Sequence, residues 1–401
     1  MNLEKYRADF PVLKNTGVIY FDNAATTLKP QCVIDKMNEY YTQYCANVHR
    51  GAHRLSLKAS EEYETAHKIV ANFLGAHAEE IAMTQNSTHA LNILSLSLPW
   101  KKLKGKKIVV SNLEHHSDLL PWMMAAKTHG LKLEIVNSDS QGNFNMEDWK
   151  KASKDAAIVS VAMVSNVMGV KTPVAEIAKI AHDNGALFCT DAAAAVGHMD
   201  VNVRKINADF LAFSGHKGPL GPTGTGALYI NEKHFGLLEP GILGGGTIDE
   251  ATFSDYKLAR CPDRFEAGTP NIAGVIGLGA GVQYIEKIGI KNIESHTTKI
   301  NAHCIRRLSE IKNVEIISNK NASNNAGVVA FEVKGADPHE VSLMLDNSKK
   351  IATRSGYHCA YPLHTLLGRK GSVRASFHLY NTTQEIDVFA DEVKKIASLF
   401  S

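Results

Sequence analysis

The stretch ALFCTDAAAAVGHMDVNVRKINADFLAFSGHKG, residues 186–218, holds two short apolar runs, ALFCT and DFLAFS. Asp191 follows the first run directly, and Lys217 lies three residues beyond the second. Short apolar runs bounded by polar and glycine-rich segments read as buried strands. The same unit recurs around this stretch. KIVVS (107–111), LKLEIV (131–136), AAIVSVAMV (156–164) and GALYI (226–230) read as strands. LLPWMMAAKTHG (119–130), MEDWKKASK (146–154) and VAEIAKIAHDNG (174–185) read as helices, the last closed by glycine. Residues 58–98 give helix, turn, the short strand IAMT and a second helix whose start Asn86, Ser87 and Thr88 can cap. Strands alternating with helices define an α/β fold with a mostly parallel sheet covered on both faces.

In such sheets ligands gather beyond the carboxyl ends of the strands. Here those ends run into NLEHH, SNVMG, Asp191 and GHKG, so four strand exits carry polar, chemically capable residues. A pocket is expected there. From about residue 275 the texture changes. A long helix (290–311), two strands around an Asn-rich turn, the helix PHEVSLMLDN, strand-like KIATRSG and a closing amphipathic helix read as a smaller α/β domain. The expected division is an N-terminal segment, 1–20, packing on the small domain, a large domain, 21–274, and a small domain, 275–401.

The chain has 401 residues, 44% of them hydrophobic, which suffices for two cored domains. The net charge of +3 comes from interspersed acids and bases, unlike the concentrated basic face of a nucleic-acid binder. KKLKGKK (101–107) reads as a solvated loop. The six cysteines are scattered without a CxxC pair, so neither a disulfide scaffold nor a structural metal is expected. There is no apolar leader core in MNLEKYRADF and no apolar run of spanning length. The expectation is a soluble cytoplasmic protein with no membrane or nucleic-acid partner.

Lys217 alone reads as a surface lysine, and Asp191 alone as a cap. Together, at neighbouring strand exits, they suggest more. A lysine beside apolar walls loses its charge and becomes an amine that condenses with a carbonyl. A carboxylate can pair with a protonated ring nitrogen, and pyridoxal 5'-phosphate requires both partners. Ser87 and Thr88 at a helix start, with Ser214 and His216, suit its phosphate. His115 is placed to lie against its ring. GPTGTG lacks the following Gly-Lys-Ser/Thr of a nucleotide loop. Late in the chain RSGYHC (354–359) sets Cys359 among polar neighbours. A free cysteine is most often inert core, and the polar setting favours a reactive thiol instead.

The sequence YFDNAATTLKP, NVHRGAHRLS, EHHSDLLPW, SNVMG, SGHKGPLGPTGTG, FEAGTPN, RSGYHC and VRASFHLYNT, in that order, resembles the cysteine desulfurases of the class V aminotransferase fold, in the subgroup that includes selenocysteine lyases. The resemblance runs over nearly the whole length. It implies a fold-type-I transferase with a mostly parallel seven-stranded sheet, and a homodimer. Lys217 matches the lysine that carries pyridoxal 5'-phosphate, His115 the ring-stacking histidine, and Asp191 the partner of the ring nitrogen. Ser87 or Thr88, Ser214 and His216 match the phosphate-binding group. Thr269 matches a residue that reaches the phosphate from the other subunit. Asn166 matches an asparagine near the ring oxygen and the substrate carboxylate. Arg374 matches the arginine that grips this carboxylate, and Arg354 stands at the edge of the cysteine loop. His49 and His53 fall where the family places histidines at the pocket entrance. Cys359 matches the nucleophile.

The implied reaction converts L-cysteine to L-alanine. The sulfur passes to Cys359 as a persulfide, then to a small acceptor protein in iron–sulfur assembly or thiolation. L-selenocysteine is the alternative substrate. Transamination, racemisation or a non-catalytic role on the same fold would leave Cys359 idle. Two departures stand out. The family's usual glutamine, three residues after the aspartate, is Ala194, which removes a hydrogen bond to the ring oxygen. The turn after Lys217 is also one residue longer than usual.

Overall fold

The computed structural model describes residues 4–400; the first three residues of the expected N-terminal segment lie outside them. The apolar runs form seven strands: β1 (Ile81–Thr84), β2 (Lys107–Ser111), β3 (Lys132–Val136), β4 (Ala156–Ala162), β5 (Leu187–Asp191), β6 (Phe210–Ser214) and β7 (Gly226–Ile230). Their order across the sheet is β1-β7-β6-β5-β4-β2-β3. β2, β3, β4, β5 and β6 run parallel, and β7 runs antiparallel to both of its neighbours. The mostly parallel seven-stranded sheet is therefore as expected. Every residue of β4 is buried. A central parallel strand is covered on both faces, so its sequence is a continuous apolar run rather than an alternation.

One core under the sheet includes Val159, Val161, Phe188, Leu211 and Phe213. The other includes Ile108, Val110, Ile158, Phe210 and Trp122. Helices α1 (Arg54–Phe73), α2 (Ser87–Ser97) and α3 (His116–His129) flank the sheet. Asn86 caps α2 by accepting from the His89 amide at 2.9 Å. His115 caps α3 through Nδ1, which accepts from the Ser117 amide. Both caps fall at the sheet end where the pocket was expected.

Helix α4 (Ile272–Ile288) runs across residue 275, and its first part, through Val282, packs into the larger core. α5 (Ile290–Ser309) follows it. The second sheet is antiparallel, built from β8 (Val314–Ile316), β9 (Val328–Val333), β10 (Arg354–Gly356) and β11 (Ser372–Ser376) in the order β8-β9-β11-β10. Arg354 and Arg374 face each other across β10 and β11. α5, α6 (Pro338–Lys349) and α7 (Thr383–Leu399) cover this sheet over Phe331, Phe377 and Phe389.

The N-terminal segment joins the two parts. Ile19 and Tyr20 pair in parallel with Ile351 and Ala352. Phe10 packs at 4.5 Å on Tyr380, and Arg7 pairs with Glu385 at 2.8 Å. Among the described residues no helix is long and apolar enough to cross a membrane.

Candidate active site

A cavity of about 290 Å³ opens at the carboxyl ends of the parallel strands. It gathers Ser87, Thr88, His115, Asn166, Asp191, Ser214, His216, Lys217, Arg354, Cys359 and Arg374, residues spread from 87 to 374 in sequence. Ten of the thirteen other candidates thus meet at Lys217, leaving Thr269, His49 and His53 apart.

One end of the cavity is built for an anion. The Ser87 amide, at the start of α2, donates to Ser214 Oγ, and the Ser214 hydroxyl donates to Ser87 Oγ, both at 3.0 Å. Thr88 Oγ1 lies 2.6 Å from Ser117 Oγ. A helix start with clustered hydroxyls offers N–H and O–H donors and a favourable dipole. His216 stands beside it, with Nδ1 3.2 Å from Thr26 Oγ1.

Across the cavity Asp191 ends β5 as an almost wholly buried carboxyl, accepting from the Ala193 amide at 2.9 Å. Burial, and then the nearby Asp118, push its pKa up to about 7. A bound N–H⁺ would restore its charge. Burial also lowers the pKa of the Lys217 amine, with Arg374 adding to the effect and Asp191 opposing it. Burial, with Lys217 and Arg374 nearby, holds His115 down to about 3. Its ring is therefore neutral. Since Nδ1 accepts from the Ser117 amide at 3.0 Å, the proton sits on Nε2. Small apolar side chains, Ala162, Val164, Ala193 and Ala194, complete the walls. The set suits a flat ring with a basic nitrogen, a carbonyl and a phosphate.

Arg374 is buried on β11. Its Nη1 donates to the Asn166 carbonyl at 3.0 Å, while Nε has no partner. Asp22 lies 3.6 Å from Nη2 and binds Arg354 Nε at 3.2 Å. Arg354 is half-exposed at the cavity mouth. Nε is unpartnered and Nη2 has only the longer 3.6 Å contact with Asp22, so this edge is the side that can meet a carboxylate.

Cys359 is exposed and lines the same cavity. It occupies a tight turn in which the Ala360 amide donates to the Tyr357 carbonyl at 2.8 Å, with φ of 50° at His358 and 55° at Cys359. Positive φ at two successive central residues is the pattern of a type I′ turn, which usually takes Asn-Gly. Side chains there cost about 1–2 kcal/mol each, so the surroundings must impose the shape. They do so from three sides. The His116 amide donates to the Cys359 carbonyl at 2.8 Å. Asn166 Nδ2 donates to the His358 carbonyl at 2.7 Å. His358 Nε2 reaches Ser372 Oγ at 2.9 Å.

That last contact belongs to a chain. His364 Nδ1 donates to the Ala360 carbonyl at 3.1 Å, so its Nε2 accepts from the Ser372 hydroxyl, also at 3.1 Å. Ser372 Oγ is then free to accept from His358 Nε2. His358 Nδ1 is left bare and buried.

The structure does not bring His49, His53 and Thr269 to this cavity. His49 and Thr269 line a second one, about 380 Å³, with Asp263 and Glu266. His53 caps α1, its Nδ1 accepting from the Ser56 amide at 3.3 Å. Asp22, Ser117, Ser372 and His364 had no assigned role in the sequence. Asp22 stood in the quoted YFDNAATT segment, but only β10 and β11 coming together reveals what it holds.

Aminotransferase class-V matches residues 19–389, and the chain belongs to that family. A probable cysteine desulfurase of Pyrococcus abyssi is 49% identical over 98% of this chain and 97% of its own length. The apo structure of a cysteine desulfurase from Thermococcus onnurineus NA1 superposes with a TM-score of 0.95 at 49% identity, covering 98% of each chain. The cysteine desulfurase CsdA of Escherichia coli, in its S-sulfonic acid form, gives 0.92 at 30% identity over the full length of both. Within the class-V family the chain falls in the cysteine desulfurase group.

Proposed function

We propose that this chain takes pyridoxal 5'-phosphate at Lys217 and transfers sulfur from L-cysteine to Cys359, releasing L-alanine. The observation that carries this reading is that a buried amine, Lys217, and an exposed thiol, Cys359, face one cavity with Arg374 beside both. Ser87, Thr88, Ser214 and His216 hold the phosphate, and Asp191 holds the ring nitrogen. When bound, the cofactor supplies an electron sink for the carbon next to the substrate's carboxylate.

The protein's own groups do the rest. Arg374 fixes the substrate carboxylate through its unpartnered Nε and the neighbouring Nη2. Lys217, whose pKa burial lowers, is the base for the adjacent C–H proton. Cys359 attacks the substrate sulfur as a thiolate. The S–S bond forms, the C–S bond breaks, and the electron pair stays on the carbon that becomes alanine's methyl after protonation. The Lys217 ammonium, which has gained the C–H proton, is the donor for that methyl proton, with the neutral His115 ring alongside. The persulfide on Cys359, exposed at the surface, is then open to exchange with an acceptor thiol.

The same reading includes a homodimer. His49 and Thr269, gathered in their own cavity, supply the partner's phosphate and entrance contacts. It also includes a small acceptor protein, a cytoplasmic location, and a division into 1–20, 21–274 and 275–401 with α4 as the connecting helix. Mass spectrometry after incubation with L-cysteine tests the core claim. One added sulfur on Cys359, absent in Lys217→Ala, is expected. Sulfur on another residue, or none with the cofactor bound, removes the assignment.

A further inference from the structure

Lys29 lies beneath the turn that carries Lys217. Its Nζ donates to the His216 carbonyl at 2.8 Å and to Thr27 Oγ1 at 3.1 Å. That carbonyl is already served by the Thr27 amide at 3.1 Å and lies 3.1 Å from the Thr26 hydroxyl. The ammonium is therefore not needed to satisfy it. Among the described residues Lys29 has no carboxylate in an ion pair or hydrogen bond, although it is mostly buried. The titratable groups that its charge reaches are His216 and, from the segment after β11, His378; burial chiefly holds both rings low, and Lys29 adds to it. Burial in turn holds the amine down to about 7.

A buried cation with only carbonyl and hydroxyl partners is costly unless an anion comes near. His216, whose carbonyl takes this ammonium, is itself a member of the anion cup with Ser87, Thr88 and Ser214. We propose that Lys29 is the counter-charge for the phosphate held in that cup, and that binding a phosphorylated ligand draws a proton from solvent onto Lys29 Nζ. The inference rests on reading the cavity as a pyridoxal 5'-phosphate site. No covalent bond to Lys29 is involved, and the proton is the only species exchanged.

The sign is fixed by linkage. A nearby dianion favours the ammonium, so the ligand prefers the protonated chain. From about pH 7 to about pH 9 the free chain loses that proton while the phosphate, already a dianion, does not change. Affinity for the phosphorylated ligand then falls as pH rises. Lys217 meets the aldehyde of pyridoxal and of pyridoxal 5'-phosphate alike. The ratio of the two affinities isolates the phosphate.

Equilibrium binding of pyridoxal and pyridoxal 5'-phosphate should be measured across this range for the full-length protein and for Lys29→Met and Lys29→Arg. In the native protein the ratio should fall about tenfold. In Lys29→Met it should start lower and stay flat, and in Lys29→Arg it should stay high and flat. Titration calorimetry in buffers of different ionisation heat should show proton uptake with pyridoxal 5'-phosphate near pH 8, and none in Lys29→Arg. A clamp that only shapes the turn would not give a charge-dependent slope. A flat ratio in the native protein, or an unchanged slope in Lys29→Met, overturns the proposal. Borohydride-fixed mass on Lys217 reports the underlying site separately, and its absence overturns both readings.

Discussion

The amide of His116 donates to the carbonyl of Cys359 at 2.8 Å. His116 opens α3, and the residue before it, His115, faces the cavity. A second bond, from the Tyr361 amide to His116 Nε2 at 3.1 Å, reinforces the tie. One helix start thus positions both the cavity-facing His115 and the turn of Cys359. The thiol's place is set by the large sheet's helix, although Cys359 belongs to the C-terminal part of the chain.

His116→Pro tests this tie. Proline lacks the donating N–H, yet it is favoured at the first position of a helix. The preceding residue, His115, already has φ −65° and ψ 150°, which a following proline tolerates. α3 should therefore survive, with unfolding free energy changed by no more than about 1 kcal/mol. The Cys359 turn should loosen. Iodoacetamide alkylation of Cys359 should speed up several-fold, and sulfur transfer to Cys359 should slow about tenfold through misplacement of the thiol. Unchanged alkylation and transfer rates would show that the turn holds itself.

Arg374→Lys tests the substrate grip. The buried guanidinium spends Nη1 on the Asn166 carbonyl and keeps Nε free. A lysine keeps the charge but has no planar edge, so one of the two bonds to a carboxylate is lost. KM for L-cysteine should rise roughly 30- to 100-fold, about 2–3 kcal/mol, with kcat changed much less. An equal fall in kcat with unaltered KM would place Arg374 at the transition state alone.

Much of this site was legible in the sequence because strand exits are local features. Asp191 follows an apolar run directly, Ser214 ends the next one with Lys217 three residues beyond, and parallel topology brings such exits together. The partners that fix these groups were not legible. Asp22 meets Arg354 and Arg374 only because residues 19–22 dock beside β11. Ser372 and His364 meet His358 only through the pairing of β10 with β11 and the helical turn after Cys359. Lys29 reads as an ordinary charged residue until the His216 carbonyl is placed over it. The hairpin Ile248–Ala251 with Tyr256–Leu258 was also missed, its mostly exposed residues giving no apolar alternation to read.

Ala194→Gln tests the departure from the family pattern. Ala194 lines the main cavity and also a small one of about 10 Å³ shared with His198 and Lys217. The space on the main-cavity side admits a longer side chain. A glutamine amide there should donate to the ring oxygen and tighten pyridoxal 5'-phosphate binding by about 0.5–1.5 kcal/mol, roughly two- to tenfold. Weaker binding in the variant would mean that the neighbours of Ala194 already fill this role.

Asp191 should make the cofactor-free protein pH-sensitive in an unusual direction. Its folded pKa of about 7 lies above the value of about 3.9 expected when unfolded. Between those values the folded chain keeps a proton that the unfolded chain has released. Stability therefore falls as pH rises through this window, by up to about 4 kcal/mol. Asp191→Asn removes that dependence. Thermal unfolding of the two cofactor-free proteins should agree near pH 4, and the native protein should become progressively less stable than the variant towards pH 7. Adding pyridoxal 5'-phosphate should reverse the order, because a ring N–H⁺ stabilises the ionised carboxyl and has no equivalent partner in asparagine. Parallel unfolding curves for the two proteins, with or without cofactor, would mean that Asp191 is already ionised without its ring partner.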